Sequence, residues 1–387
     1  MYRDNAAVGN RVSTSTCSCA GGGEPEGVKL AMRQHAVSGA AIAALLLSAS
    51  PAAAQPKDAA GTPSPSRELR ITVQTPPKSI NNDNLELFKK RVETATGGAL
   101  KISIHVDLVE DSKVIGAVAA GKVEMGGSRL GHFAEAVPAI GIFLLPFMFN
   151  RLPVQDAALQ PESTFRRLLD EAVLERTGAR VLWWSPFGTS VLTSKSLPLT
   201  SPAAMVGKTV RTYDKISASF VKSCGGIPVY LGGTAQVDAY KTGKAAVGQT
   251  GITFVVARRL WDHLDTLANT RHFADGMLIL INEQVWRSLS PDHQRILQEA
   301  AVEAQKAILV DLHKRESEGY ALAAKNGMRI HEVTPDEVAE WRVCSAPVLE
   351  SFMSDAGELG QRLMEAYGQL RTQPCCSAGT PGVFTRR

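Results

Sequence analysis

Arg211 is the side chain in this sequence best placed to do specific chemistry. It ends the run Gly207-Lys208-Thr209-Val210-Arg211, in which Thr209 to Arg211 reads as a short strand, and Ser217 to Cys224 follows as a helix. Gly225-Gly226 stops that helix, and a second strand ends at Tyr230. In open sheets built of such strand-helix-strand units, ligands bind in the crevice beyond the carboxyl ends of the strands, which is where Arg211 leaves its strand. A guanidinium there offers a planar fork of donors that matches a carboxylate bidentately, and it stays charged at any physiological pH. The alternative is a solvated surface arginine or a structural ion pair, the commoner fate of this residue type.

Other stretches could line the same crevice. Gly126-Gly127-Ser128-Arg129-Leu130-Gly131 reads as a turn after a strand from Val123 to Met125. Its glycines would let backbone N–H groups approach an anion, with Ser128 and Arg129 as further donors, although a glycine-rich turn is most often only a turn. Pro138 to Asn150, PAIGIFLLPFMFN, is strongly apolar for a segment broken by Pro146, so Phe147 is either a pocket wall or plain core. Arg180 to Leu182 begins a strand whose end carries Trp183-Trp184-Ser185-Pro186-Phe187-Gly188, an aromatic cluster that suits a pocket wall through Trp184 and Phe187.

Enzyme motifs are weak or absent. Ser219-Phe220-Val221-Lys222 and Lys241-Thr242-Gly243 match two of the three marks of penicillin-recognising serine enzymes, but the S-D-N element is missing and the two lie only about 20 residues apart. There is no G-x-S-x-G elbow, H-E-x-x-H helix, P-loop or EF-hand loop. The eight histidines lack ligand spacing, so neither a metal nor a cofactor is expected, and His105 on its strand is packed or solvated rather than catalytic.

The elements that must position these residues alternate in type. Arg70 to Gln74 reads as a strand. Asn81 to Asp83 can cap a helix carrying Leu85, Phe88 and Val92, which Gly97-Gly98 ends. Leu100 to Val106 alternates as a strand, and a helix with Val114, Ile115 and Val118 stops at Gly121. This alternation predicts a parallel sheet with helices on both faces. Arg258 to Trp261 opens a helical stretch, and Met277 to Asn282 reads as a strand returning to the first lobe. Ser290 then caps a helix with Pro291 in its first turn, and its stripe of Ile296, Leu297, Ala300, Ala301, Ala304, Ile308 and Leu312 is unbroken until Asn326-Gly327. About 35 residues at 1.5 Å each give roughly 50 Å, longer than one small lobe. A strand from Met328 to Val333 follows, and Thr334-Pro335-Asp336-Glu337 forms a capping box for a last helix.

Composition bounds the class. A chain of 387 residues with 44% hydrophobic and 21% charged residues can fold two domains with real cores. A net charge of +4 without a basic run or interleaved aromatics excludes nucleic acid as the expected partner. From Met32 the sequence MRQHAVSGAAIAALLLSASPAAAQ has the three parts of a secretory signal: basic Arg33, an apolar core from Val37 to Leu47, and Ala52 and Ala54 before a cut at Gln55. The residues before Met32 fit badly in front of a signal, which points to Met32 as the start of translation. No other apolar run approaches the roughly 18 residues needed to span a bilayer, so an exported, unanchored product is expected. Of six cysteines, Cys17 and Cys19 precede the signal and Cys375-Cys376 lie in the tail, while Cys224 and Cys344 either bridge or remain two buried thiols.

The segments GKTVR, LLPFMF at Leu144 to Phe149, and AYKTGKAAVGQTGITFVVARRLWD together resemble the extracytoplasmic solute-binding proteins of TRAP transporters, the DctP-like family, over Leu69 to Leu370. The resemblance implies an α/β, two-lobed periplasmic binding protein fold, its parallel or mixed sheets flanked by helices and one long helix spanning both lobes. The expected division is an extension and signal peptide at 1–54, a flexible leader at 55–67, lobe I at 68–188 with 275–312, lobe II at 189–274 with 313–372, and a disordered tail at 373–387. It further implies that Arg211 clamps the carboxylate of an organic acid and that Gln249 or Thr250 offers it a neutral edge; Ser128, Arg129 and Thr189 are expected to complete the ligand contacts, and Phe147, Trp184 and Phe187 the wall. Relatives that bind sialic acid or dicarboxylates place a second arginine two or three residues after the glycine matching Gly188, where this chain has Thr189, Ser190 and Val191. Their usual acidic residue and glycine after Gly243 are here Ala246 and Val247. The second clamp is therefore missing, and a monocarboxylate fits as well as a dicarboxylate.

The function implied is capture of a small organic acid in the periplasm and its delivery to TRAP membrane permease subunits, with no cofactor and no bond broken. The alternatives are a secreted enzyme acting on an acid or ester, and a sensor subunit that presents the acid to a receptor kinase. Arg211→Ala is expected to leave the fold intact and to cost at least about 2 kcal/mol of affinity.

Overall fold

The computed structural model describes residues 66–75, 79–232 and 235–372. The signal, the leader up to residue 65, the tail and Cys17, Cys19, Cys375 and Cys376 lie outside the described residues. The first strand, β1 (Arg67–Val73), already begins within the span read as leader. Leu69, Ile71 and Val73 are buried on alternate positions, and Thr72 on the other face is buried too, which marks a strand covered on both sides. Helix α1 (Ile80–Ala95) is capped by Ser79, whose side chain accepts from the N–H of Asn82, and not by Asn81 to Asp83 as expected. Ser79 holds the extended backbone that a cap requires, and this frees the amides inside the helix for the interior. Asn81 donates to Ser185 Oγ at 3.0 Å, and Asn84 donates to the carbonyl of Ala304 and accepts from Trp183 Nε1.

Strand β2 (Leu100–Val106) pairs parallel with β1 over its whole length. Helix α2 (Val114–Ala119) leads to β3 (Met125–Arg129), and here the sequence reading needs correction. Gly126 to Arg129 is not a turn but the strand itself. A methyl group on Gly126 would stand 2.6 Å from Val114 Cγ1, and one on Gly127 would stand 2.7 Å from Ile279 Cδ1. The glycines are there so that the neighbouring elements can close onto the sheet, not to cradle an anion.

Helices α3 (Leu130–Ala136), α4 (Leu152–Leu159) and α5 (Thr164–Thr177), with a 3-10 segment at Pro138–Leu144, cover one side of the next strand. That strand, β4 (Ala179–Ser194), is 16 residues long, so Trp183 to Gly188 lies in its middle and not at its end. Pro186 and Gly188 sit at a break in pairing register, which bends the strand without ending it. After it come β5 (Thr209–Thr212), α6 (Lys215–Ser223), β6 (Ile227–Tyr230), α7 (Ala235–Thr242), β7 (Val247–Gly251) and α8 (Ile252–Ala257). Arg258 closes α8, Arg259 takes a left-handed backbone (φ 47), and a 3-10 segment follows at Leu260–Asp262, so the helical stretch expected from Arg258 starts later and is only three residues long.

β8 (Thr266–Ala268) and β9 (Ala274–Asn282) follow, then α9 (Glu283–Arg287), α10 (Pro291–Lys325), β10 (Arg329–His331) and α11 (Pro335–Thr372), which is broken at Gly357. The strand order is β2-β1-β3-β9-β4-β7-β5-β6, with β8 and β10 joined to the side of β4. β9 and β4 run antiparallel to their neighbours, making the sheet mixed. β4 pairs with β9 as far as Thr189 and with β7 from Ser190, so one strand passes through both halves of the α/β fold. α10 runs alongside: its Ala304 carbonyl accepts from Asn84 near one end, and Gly319 lets Ile252 of α8 approach near the other. Ser290 caps α10, and Thr334 and Glu337 form the reciprocal box of α11, both as read from sequence. Cys224 and Cys344 form a disulfide with a Cα separation of 5.0 Å, which joins the end of α6 to α11.

Candidate functional site

β5 carries Arg211 into the interior, where it is only 2% exposed. Its guanidinium is fixed from three sides: Nε donates to the carbonyl of Leu231 at 3.1 Å, Nη1 donates to the carbonyl of Gln249 at 2.7 Å, and the Tyr213 ring lies 4.6 Å beneath Cζ. Tyr213 stands two residues on, and strand alternation sends both side chains to the same face. That spacing is visible in the sequence and could have found Tyr213. Among the described residues no carboxylate pairs with Arg211. Burial lowers the guanidinium's hold on its proton, and the nearby charge of Arg129 works the same way.

Arg129 ends β3 and reaches the other face of the same aromatic set, with Cζ 4.8 Å from the Tyr213 ring and 5.1 Å from that of Phe187. It is ion-paired with Asp275, a residue of β9 that no motif singled out. Burial pulls its pKa down, and Asp275 together with Tyr213, Asp111 and Asp214 more than offsets this, so the pKa stands above the ordinary value. Asp275 also accepts from the N–H of Gly276 and, with Trp184, Pro186 and Leu130, lines a small crevice beside the pair.

Other expected contacts are already engaged. Ser128 is 1% exposed and its hydroxyl is spent on the backbone and carboxylate oxygens of Asp111, both at 3.0 Å. Gln249 and Thr250 are adjacent on β7, so alternation sends them to opposite faces and they cannot form one edge. The Gln249 amide donates to the Arg211 carbonyl at 3.3 Å and accepts from His272 Nε2 at 2.8 Å. Phe147 is 1% exposed, with a left-handed backbone (φ 61), and its ring faces Phe220 and His272 rather than the arginines. Trp184 packs at a tilt against Phe143 and donates to Asp170, so it belongs to the apolar core as well as to the crevice. Thr189 donates its backbone N–H to Glu316 Oε1 at 3.0 Å. Glu316 comes from α10, and burial pushes its carboxyl up. Gly188 is required here: its φ is +87, and a methyl group would stand 2.1 Å from the same carboxylate oxygen.

His272, missed in the sequence, orients this wall. It is fully buried, stacks on Phe220 at 5.1 Å, and accepts from Thr270 on Nδ1 while donating to Gln249 from Nε2. Burial pushes it down from 6.5 to about 3, so the folded protein holds it neutral. The unfolded chain then takes up the proton first, and stability present above about pH 6.5 is lost as the pH falls toward 3, by about 1.4 kcal/mol per pH unit. Urea melts of the parent and His272→Gln between pH 7.5 and 4.5 should show the stability difference between them shrinking with acid. A difference independent of pH would mean that His272 is not held neutral.

The mixed sheet shared by two halves, with one strand and one long helix running through both, is a two-lobed α/β architecture of the periplasmic binding-protein kind. The chain belongs to the family described as bacterial extracellular solute-binding protein, family 7 (DctP), whose profile matches residues 71–355. It is 24% identical over 243 residues to the 2,3-diketo-L-gulonate-binding periplasmic protein YiaO of Escherichia coli (strain K12), covering 62% of this chain and 73% of that one. It is 20% identical over 298 residues to the sialic acid-binding periplasmic protein SiaP of Vibrio cholerae, covering 75% and 89%. Its fold matches the crystal structure of DctP7, a Bordetella pertussis extracytoplasmic solute receptor binding pyroglutamic acid, with a TM-score of 0.74 at 21% identity, over 78% of this chain and all of that one. Among the described residues no helix is long and apolar enough to cross a membrane.

Proposed function

We propose that this chain is the periplasmic receptor of a TRAP-type transporter, which captures a small organic acid between its lobes and hands it to membrane permease subunits. The observation that carries the reading is Arg211: a guanidinium 2% exposed, held by two carbonyls and a ring, with no carboxylate partner among the described residues. Removing an arginine from water without a counter-ion is costly, and a ligand carboxylate supplies that counter-ion. The acids named for the family relatives share this group. Closure about the point where β4 changes partners, between Thr189 and Ser190, would bring the 68–188 and 189–274 segments together on the ligand. In this reading Phe187 and Arg129 would belong to one lobe and Arg211 and Gln249 to the other, with Tyr213 touching both arginines.

The test is a thermal-shift screen of the protein against small carboxylic acids, with native mass spectrometry of the fresh preparation. A receptor gains several degrees with one of the acids, as mass action requires, and returns it chemically unchanged. No shift with any acid and no co-purified acid would remove this reading, and turnover of the acid would replace it with an enzymatic one.

A further inference from the structure

Arg258 has no part in the clamp described above, and its half-buried side chain turns back onto its own helix. It closes α8 through its backbone N–H, and its guanidinium folds back to lie 4.8 Å over the ring of Phe254. Phe254 meets Phe187 edge-on at 5.4 Å, the Phe187 ring carries Arg129 at 5.1 Å, and Tyr213 carries both Arg129 and Arg211. Rings and guanidiniums therefore follow one another from Arg258 through Phe254, Phe187, Arg129 and Tyr213 to Arg211.

Of these three cations only Arg129 meets a carboxylate, that of Asp275. Among the described residues, Arg258 has neither an ion pair nor a side-chain hydrogen bond. Its charge is also opposed by its surroundings: burial lowers its pKa to about 10, and Arg211 and Arg129 push in the same direction. An arginine at the end of a short helix could extend into water, where its charge is solvated without cost. Holding it against an apolar ring and close to two other cations makes physical sense when an anion completes the set.

We propose that Arg258 is a second anion-reading residue of this cleft, separate in sequence and in element from Arg211, and that it takes a second oxyanionic group of the ligand while Phe254 and Phe187 flank the ligand's carbon chain. This rests on the receptor reading and sharpens it. Arg211 would take one end of the ligand and Arg258, just past the end of α8, the other, so the ligand is an acid with two anionic ends and not a simple monocarboxylate.

The experiment measures calorimetric affinities of the mature protein for the straight diacids from malonate to adipate, each against its half-amide, which has nearly the same size and one charge fewer. The parent should favour the best-fitting diacid over its half-amide at least tenfold. Arg258→Gln should bring that ratio within threefold of unity and change half-amide affinity by less than threefold, with a melting temperature no lower than the parent's by more than a few degrees. Arg258→Lys should retain part of the preference. A parent that binds half-amides and diacids equally overturns the inference and leaves the receptor reading standing. Preference surviving in Arg258→Gln, or an equal loss for both ligands, also overturns it. Binding of no member of any pair also overturns the inference, while the receptor reading is decided separately by the thermal-shift screen and the co-purified acid.

Discussion

Replacing Arg211 by lysine is expected to weaken binding of the acid at least about thirtyfold, or about 2 kcal/mol, because it strips a desolvated carboxylate of its fork while keeping the positive charge. The geometry makes lysine the informative variant. Two of the five N–H donors of Arg211 are already committed to the carbonyls of Leu231 and Gln249, and the plane of the group is set by Tyr213. The remaining donors are thereby aimed, and an ammonium on a flexible stem cannot satisfy both carbonyls and meet an acid in two places. Arg211→Ala, by contrast, will not leave the fold untouched, as the sequence alone suggested. It abandons two buried carbonyls, at about 1–3 kcal/mol for each group left unsatisfied, and opens a void beside Tyr213. Its loss of binding would be mixed with loss of structure. Calorimetry on Arg211→Lys, with a melting curve to show that the fold persists, separates the two. Affinity within threefold of the parent would dismiss Arg211 as the clamp.

The second large effect concerns the bridge between Cys224 and Cys344. Reduction, or the paired change of both residues to serine, is expected to lower stability by about 2–4 kcal/mol, seen as a fall of roughly 5–10 °C in melting temperature. The sequence separation of 120 residues sets the size of the effect. A cross-link that closes so long a loop removes many conformations from the unfolded chain, and the bridge ties α6, the helix that follows Arg211, to α11, which packs across from it. The parent should also show no reactive thiol from this pair under denaturing, non-reducing conditions. Two free thiols there, or a melting midpoint unmoved by reductant, would refute the bridge. In the mature protein, which lacks Cys17 and Cys19, Cys375 and Cys376 are best changed to serine first so that the thiol count reports on this pair alone.

Much of the architecture was legible because it rests on local signals. The alternation of Leu100 to Val106, the Ser290-Pro291 start of α10 and the reciprocal box of Thr334 and Glu337 are each decided within a few residues of chain, and all three stand in the structure. The strand-helix-strand unit around Arg211 belongs with them. The misreadings have one cause in common. Gly126-Gly127 reads as a turn and the cluster up to Gly188 as a strand end, but here these glycines admit Val114, Ile279 and Glu316, the last two from distant parts of the chain. A residue's own conformational preference cannot show whether it is small in order to turn or small in order to let a neighbour in.

By itself, then, the sequence determined the α/β class, the long helix, the family and the arginine at the end of β5, because periodicity, capping and strand-end position are properties of adjacent residues. Only the tertiary structure decided which polar groups are free to meet a ligand. It occupied Ser128 with Asp111 and Gln249 with His272, turned Phe147 into the core, set Asp275 on Arg129, and left Arg211 and Arg258 without a carboxylate among the described residues. The physical reason is that a donor or a charge is defined by what it already touches, and those partners lie as far as 146 residues away along the chain.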